Sequence, residues 1–185
     1  EISTAAAGPW HETTTLQGKT ILSDRNFENL VHEYGRQVLN TALRVLGDAN
    51  LANDVHQEVF LSIWRRWPSY NGQTNWPAYL YRTTVRKALE AARRANGHRR
   101  EVPAEREWDD RGPDGDMRAD ELQSNLAAAL AKLPAHQADA FVLLRLEGLA
   151  TTEVAAILGC SPQTVRVHLH RALKKLSHEL RPYLG

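Results

Sequence analysis

The chain has 185 residues and predicts an all-α fold: two helical domains joined by a flexible acidic linker. Three observations carry that prediction. Apolar residues recur at three- and four-residue spacing in two long blocks. Gly and Pro stand where helices in those blocks would start or stop. A stretch rich in Gly, Pro and Asp, with no period, separates the blocks. No β-pattern of convincing length competes with this reading.

Residues 1–23 are rich in Thr, Ala and Gly, lack periodicity, and are expected to form a flexible N-terminal arm. With no basic start and no apolar core, they predict no signal peptide. From Asp24 the pattern changes. Phe27, Leu30, Val31, Tyr34, Val38 and Ala42 make a helical stripe, widened by Leu39, Leu43 and Leu46 and stopped by Gly47. Leu51, Val55, Val59 and Ile63 mark a second helix, with Phe60, Trp64 and Trp67 beside them and Pro68 as its end. SYNGQTNW (69–76) is a loop by composition. A third helix is expected from Pro77 to Arg94, with Leu80, Thr84, Ala88 and Ala91 on one side and Tyr81, Val85, Leu89 and Ala92 next to them. These helices define a domain over 24–96.

The linker is expected over 97–120. A second domain over 121–185 follows. Leu122, Leu126, Ala129, Leu130 and Leu133 predict one helix, and Pro134 opens another, closed by Gly148. Thr151 or Thr152 is expected to cap a short helix ending at Leu158 and Gly159. Ser161 and Pro162 are expected to open the last helix. Ala155, Gly159 and Val165 stand where a helix-turn-helix needs a small residue, a turn former and a core plug. Val154, Leu158 and Cys160 add core contacts. In the last helix Val165, Leu169, Ala172, Leu173 and Leu176 form the inward stripe. Gln163, Thr164, Arg166, Val167, His168, Arg171, Lys174 and Lys175 are left facing out. Such a face suits a DNA major groove, where Arg and Lys meet phosphates or guanine and Gln reads adenine. A solvated basic face complementing the helix dipole is the plainer alternative.

Net charge is uninformative, with 23 basic residues against 22 acidic, but its distribution is not. Residues 82–100 hold seven Lys or Arg and one acid; 101–121 hold nine acids and three Arg; 163–181 hold five Lys or Arg and one acid. One basic block falls on each helical unit, which suits contact with nucleic acid at two separated places. Tyr70, Asn71, Asn75, Trp76 and Tyr79 lie just ahead of the first basic block. Side chains of these types either stack and read single-stranded bases or close the bundle core.

Several classes fall away. No apolar run is long enough to cross a bilayer. Cys160 is the single cysteine, so no intrachain disulfide exists, which suits the cytoplasm. No phosphate-binding, nucleophile-elbow or H-E-x-x-H motif points to an enzyme. His168, His170 and His178 lack partners at ligand spacing, and a His-x-His pair on a helix points its rings about 200° apart. No metal and no cofactor are expected.

The stretch FENLVHEYGRQVLNTALRVLGDANLANDVHQEVFLSIWRRW followed by WPAYLYRTTVRKALEAARR resembles region two of a bacterial RNA polymerase sigma factor. LAAALAKLPAHQADAFVLLRLEGLATTEVAAILGCSPQTVRVHLHRALKKL resembles region four. Two such regions without regions one and three are the layout of the extracytoplasmic-function (ECF) group of the sigma-seventy family. The resemblance implies a protein that binds core RNA polymerase through the β′ coiled coil and the β subunit, recognises minus-ten and minus-thirty-five promoter elements, and melts DNA. In family members an anti-sigma factor is a common partner. Matching positions imply polymerase contacts at Asp54, Gln57, Glu58, Phe60, Leu61 and Trp64, with His56 where an apolar residue is usual. They imply minus-ten contacts at Asn71, Asn75, Trp76, Tyr79, Arg82, Arg86 and Lys87, and minus-thirty-five contacts from Gln163 through Lys175. The resemblance also implies that the acidic linker threads the polymerase RNA path. The competing expectation is a freestanding helix-turn-helix regulator, which has no use for a polymerase-binding helix.

Overall fold

Asp24–Leu46 forms α1, and Gly47 ends it at φ +68°, its N–H returning to the Leu43 carbonyl at 2.8 Å. The computed structural model describes residues 13–16, 19–22, 24–70, 74–101 and 115–181. Asp48 follows at once as the N-cap of α2 (Ala49–Trp64), its carboxylate accepting the N–H groups of Asn50 and Leu51 at 2.8 and 3.0 Å. The helix stops at Trp64, ahead of the expected Pro68. Pro68 sits instead in a short 3₁₀ turn, Trp67–Ser69, where its missing N–H is tolerated.

Trp76–Glu101 forms α3, and Asn75 caps it by accepting the Ala78 N–H at 3.2 Å. The helix outruns its expected end at Arg94, because nothing in ANGHRRE stops it before Glu101. Gly115–Ala131 forms α4, which starts inside the segment expected to be linker. Helix thus occupies both ends of the expected 97–120 linker; residues 102–114 and the N-terminal residues 1–12 lie outside the described residues. The α5 helix, Ala135–Phe141, widens into a π-helical turn over Val142–Leu146 before Gly148 closes it at φ +71°.

Thr151–Leu158 forms α6. Its N-cap is Ala150 rather than either threonine, and the Glu153 carboxylate accepts the Ala150 N–H at 2.7 Å. An acid three residues into a helix satisfies that donor as well as a capping hydroxyl satisfies another. Pro162–Glu179 forms α7, capped as expected by Ser161, whose Oγ accepts the Thr164 N–H at 3.1 Å.

Ahead of α1, Thr13–Leu16 (β1) pairs antiparallel with Lys19–Leu22 (β2), Thr13 opposite Leu22 and Leu16 opposite Lys19. The expected arm therefore contains a hairpin, and β2 runs beside the Trp67–Ser69 turn. β-Branched Thr13, Thr14, Thr15, Thr20 and Ile21 favour strands, but runs of four residues are too short to show a period.

Two domains over 24–96 and 121–185 were expected; the corresponding helices are α1–α3 and α4–α7. They share a core, however. One buried apolar cluster runs from Val38, Ile63 and Leu80 through Leu130, Leu133 and Val142 to Leu176. A smaller one, Ala140, Leu143, Val154, Ala155, Leu158 and Val165, fills the helix-turn-helix.

Candidate functional site

Helix α2 divides its residues cleanly. Ala52, Val55, Val59 and Ile63 point into the bundle, leaving Asp54, Gln57, Leu61 and Trp64 outside. Leu61 and Trp64 are 47% and 43% exposed, large apolar groups at the surface, Trp64 with one side of its ring on Phe27 at 4.9 Å. Of the six polymerase positions implied by resemblance, the structure withdraws Phe60. It is 6% exposed, edge-on to Phe27 and against His56 at 5.0 Å. Glu58 is engaged within the bundle, its two oxygens taking Lys87 at 3.3 Å and Arg94 at 3.5 Å. His56 substitutes for the usual apolar residue by behaving like one, since burial against Phe60 holds its imidazole below the ordinary histidine range.

The loop and α3 collect an aromatic cluster. Trp76 stacks on Trp67 with centroids 5.6 Å apart and meets Tyr70 and Tyr79 edge-on. The Tyr70 hydroxyl donates to the Tyr79 hydroxyl at 2.8 Å, and burial and then that bond push Tyr70 well above the usual phenol range. Trp76 and Tyr79 are half-buried, so both sequence readings meet here: they close the bundle's edge and leave ring surface at its rim. Asn75 is exposed; Asn71 lies outside the described residues. Lys87 does not join Arg82 and Arg86. It lies about 140° and 100° around the helix from them and turns to Glu58 instead.

In the helix-turn-helix, Ala155 and Val165 are buried and Gly159 turns at φ +66°. The turn holds Cys160 half-buried. Gln163, Arg166, Val167, Arg171, Lys174 and Lys175 are exposed along α7, Thr164 half-exposed with its hydroxyl on Ser161 at 2.9 Å. Two assignments change. Leu173, expected inside, is exposed, because Ala172 and Leu176 already fill the contact. His168, expected outside, is half-buried and stacks on His136 of α5 at 5.6 Å. Burial, then His136, then Arg171 hold its imidazole below the ordinary range.

Comparison with known proteins decides what these surfaces belong to. The family described as Sigma-70 region 2 matches residues 30–98, and Sigma-70, region 4 matches residues 123–176. RNA polymerase sigma factor CarQ of Myxococcus xanthus is 31% identical over 154 residues, spanning 81% of this chain and 86% of CarQ. ECF RNA polymerase sigma factor SigE of Mycolicibacterium smegmatis is 32% identical over 168 residues, spanning 86% of this chain and 62% of SigE. This chain is an ECF sigma factor of the sigma-70 family. The solved structure of CnrH in complex with the cytosolic domain of CnrY matches with a TM-score of 0.53 at 25% identity, over 86% of this chain and 90% of that one.

As a sigma factor the protein serves transcription initiation and binds DNA through its helix-turn-helix. No helix among its described residues is long and apolar enough to cross a membrane. Sequence reading missed one feature of this sigma factor altogether: the contact between its two regions. Tyr81 of α3 packs against the apolar cluster of the helix-turn-helix. Arg44 of α1 reaches Glu147, beyond α5, at 2.7 Å, and the Glu147 side chain is only 3% exposed. Gln123 donates to the Arg44 carbonyl, and Arg93 to the Ala131 carbonyl, both at 2.6 Å. Asp139 on α5 is 1% exposed, with neither carboxylate oxygen hydrogen-bonded. The available signal was Tyr81, a large aromatic at the end of the stripe Tyr81–Val85–Leu89–Ala92 that runs beside Leu80–Thr84–Ala88–Ala91.

Proposed function

We propose that this sigma factor holds the core polymerase β′ coiled coil on the exposed face of α2, through Asp54, Gln57, Leu61 and Trp64. Glu58 supports that face by tying α2 to α3. Helix α3 and the loop before it, with Asn71, Asn75, Trp76, Tyr79, Arg82 and Arg86, take the melted minus-ten strand. Extruded bases trapped against aromatic rings, and a backbone held by arginines, offset the loss of stacking on melting. Helix α7, from Gln163 to Lys175, reads duplex DNA at the minus-thirty-five element through phosphates and base edges. Contact with the β subunit, an anti-sigma partner and work in the cytoplasm belong to the same reading, and the protein performs no catalysis of its own.

The observation that carries this reading is the pair of exposed large apolar groups, Leu61 and Trp64, beside Asp54 on one face of α2. A freestanding DNA regulator has no use for that face. The test is co-elution with core polymerase in the absence of DNA, for the native chain and for Leu61→Ala/Trp64→Ala. The native chain should co-elute and the variant should not. Equal retention of both would remove α2 from the contact. Failure of the folded native chain to bind would favour the freestanding regulator.

A further inference from the structure

We infer that the groove between the end of α4, the start of α5 and the second half of α7 binds a small molecule carrying a chain of phosphates, and that this ligand competes with duplex DNA for α7. The site itself stands apart from the sigma reading; the competition rests on it.

The site begins in the sequence. Arg171, Lys174, Lys175 and His178 recur at the i, i+3, i+4, i+7 spacing that sets four side chains on one face of α7, and all four are exposed. Like charges at that spacing repel and weaken a helix, so an anion laid along the stripe relieves it. The dipole of α7 acts only on its last turn, where His178 stands. Among the described residues, no carboxylate lies within ion-pair distance of Arg171, Lys174 or Lys175. Duplex DNA accounts for part of the stripe. A recognition helix meets base edges with its N-terminal residues, and the major groove is about 12 Å wide. Arg171 already lies about 14 Å along α7 from Pro162, at about 1.5 Å per residue. The far end of the stripe falls beyond the duplex.

The fold builds a groove over that end. Its volume is about 680 Å³, within the range of small-molecule sites. Buried Ala129 and Leu133 give it an apolar floor. Lys132 stands at its wall, held by an ion pair with Glu179, the one acid in the lining. An ammonium has three donors, so the pair leaves others for a ligand. Lys132, Arg171, Lys174 and Lys175 thus set four fixed cations against one carboxylate. A chain of phosphates spreads its charge along such a row, with the arginine fork and the lysine point charges meeting successive oxygens. Gln137 adds a second kind of contact. It lines the groove, is 9% exposed, and its Oε1 is buried with no hydrogen-bond partner. A buried oxygen left unpaired costs free energy. Turning the amide about its last torsion lets it accept from a ligand N–H or O–H. Ionised phosphates have no donor to offer, whereas a nucleoside attached to them has several.

The experiment uses the full chain in magnesium-free buffer. The probes are inorganic tripolyphosphate, ATP and GTP, with sodium sulfate at matched ionic strength as the control. Calorimetric titration should show one saturable site for tripolyphosphate and none for sulfate. Lys132→Ala removes an exposed cation outside the minus-thirty-five set and should weaken that binding about fivefold. Tighter binding of ATP or GTP than of tripolyphosphate, with the difference lost in Gln137→Met, identifies a nucleoside polyphosphate as the source; equal binding of all three identifies inorganic polyphosphate. Anisotropy with labelled random-sequence duplex tests the competition. Native chain and Lys132→Ala should bind duplex equally, and a fixed concentration of tripolyphosphate that saturates the native site should displace duplex from the native chain more than from the variant. No saturable binding, or equal binding of the probe by native chain and Lys132→Ala, overturns the site. Equal displacement from both proteins, or displacement by sulfate as effective as by tripolyphosphate, overturns the competition. A native chain that binds tripolyphosphate but no duplex counts against the minus-thirty-five reading and leaves the site standing.

Discussion

Replacing Asp139 with Asn should stabilise this protein at neutral pH. Asp139 is 1% exposed, and neither of its carboxylate oxygens has a hydrogen-bond partner. Burial drives its pKa from an ordinary 3.8 up to about 6; Arg86, His136 and Arg82 pull the other way without cancelling that effect. At about 1.4 kcal/mol per tenfold change in proton affinity, the displacement corresponds to about 3 kcal/mol of stability missing at neutral pH. The sign follows from proton counts. Between pH 4 and 6, roughly, the folded state keeps a proton that the unfolded state has released, so stability falls as pH rises through that window. Asn removes the charge but leaves its amide to find partners, so the expected gain at pH 7.5 is smaller, about 1–2 kcal/mol. Urea unfolding at pH 4.5, 5.5, 6.5 and 7.5 would measure it: the native chain should lose stability across the series from this group, and Asp139→Asn should flatten the loss. A variant less stable than native at pH 7.5, or an unchanged difference between the two proteins across the series, would refute the reasoning.

Three further outcomes are expected. His56→Leu should leave stability at pH 7.5 within about 1 kcal/mol of native, since the ring already packs as a neutral aromatic. It should also remove a loss that the native chain shows as pH falls below the ordinary histidine range, because there the unfolded state takes up the proton first; thermal unfolding against pH checks both. Ser161→Ala should cost about 1 kcal/mol by removing the cap on α7, read from denaturant midpoints, and should raise amide exchange at Thr164. Arg166→Ala and Arg171→Ala should each weaken minus-thirty-five duplex binding by about 1–3 kcal/mol where the arginine reads a base, and reduce the salt slope by about one where it holds a phosphate; titrations at several salt concentrations separate the two.

The helices were legible because each has a period and punctuation. Gly47, Gly148 and Gly159 all adopt positive φ where a stop was read, and Ser161 caps α7 as expected. Elements with weaker marks escaped. The β1–β2 hairpin is too short to show alternation. Asp48 as a cap was hidden because it directly follows the stop that ends the preceding helix. Capping by Glu153 was masked by two threonines of more familiar type. Among site residues, the family resemblance pointed to Asp54, Gln57, Leu61 and Trp64, which lie outside the core, and also to Phe60, which lies just inside its edge because helical spacing sets it beside the buried stripe. His168 and Leu173 exchanged places because the α7 stripe was judged without α5, whose His136 covers one flank. Contacts between the two units have no periodicity of their own, so Glu147 and Asp139 were invisible to pattern.

The second stripe on α3 connects these findings. Helix α3 packs on α1 and α2 and also on α4, α5 and α6. It buries Val85 and Leu89 as well, and places Arg82 and Arg86 at the margin of the extra surface. Apolar surface of that kind must be covered, and opening the molecule exposes it at about 25 cal/mol per Å². The cost has to be met by whatever separates the two units. The same contact buries Asp139 as a carboxyl without a hydrogen-bond partner, which weakens the contact as its proton leaves. The contact between the two units thus combines apolar packing with one buried carboxyl that opposes it, so its strength is set by the balance between the two.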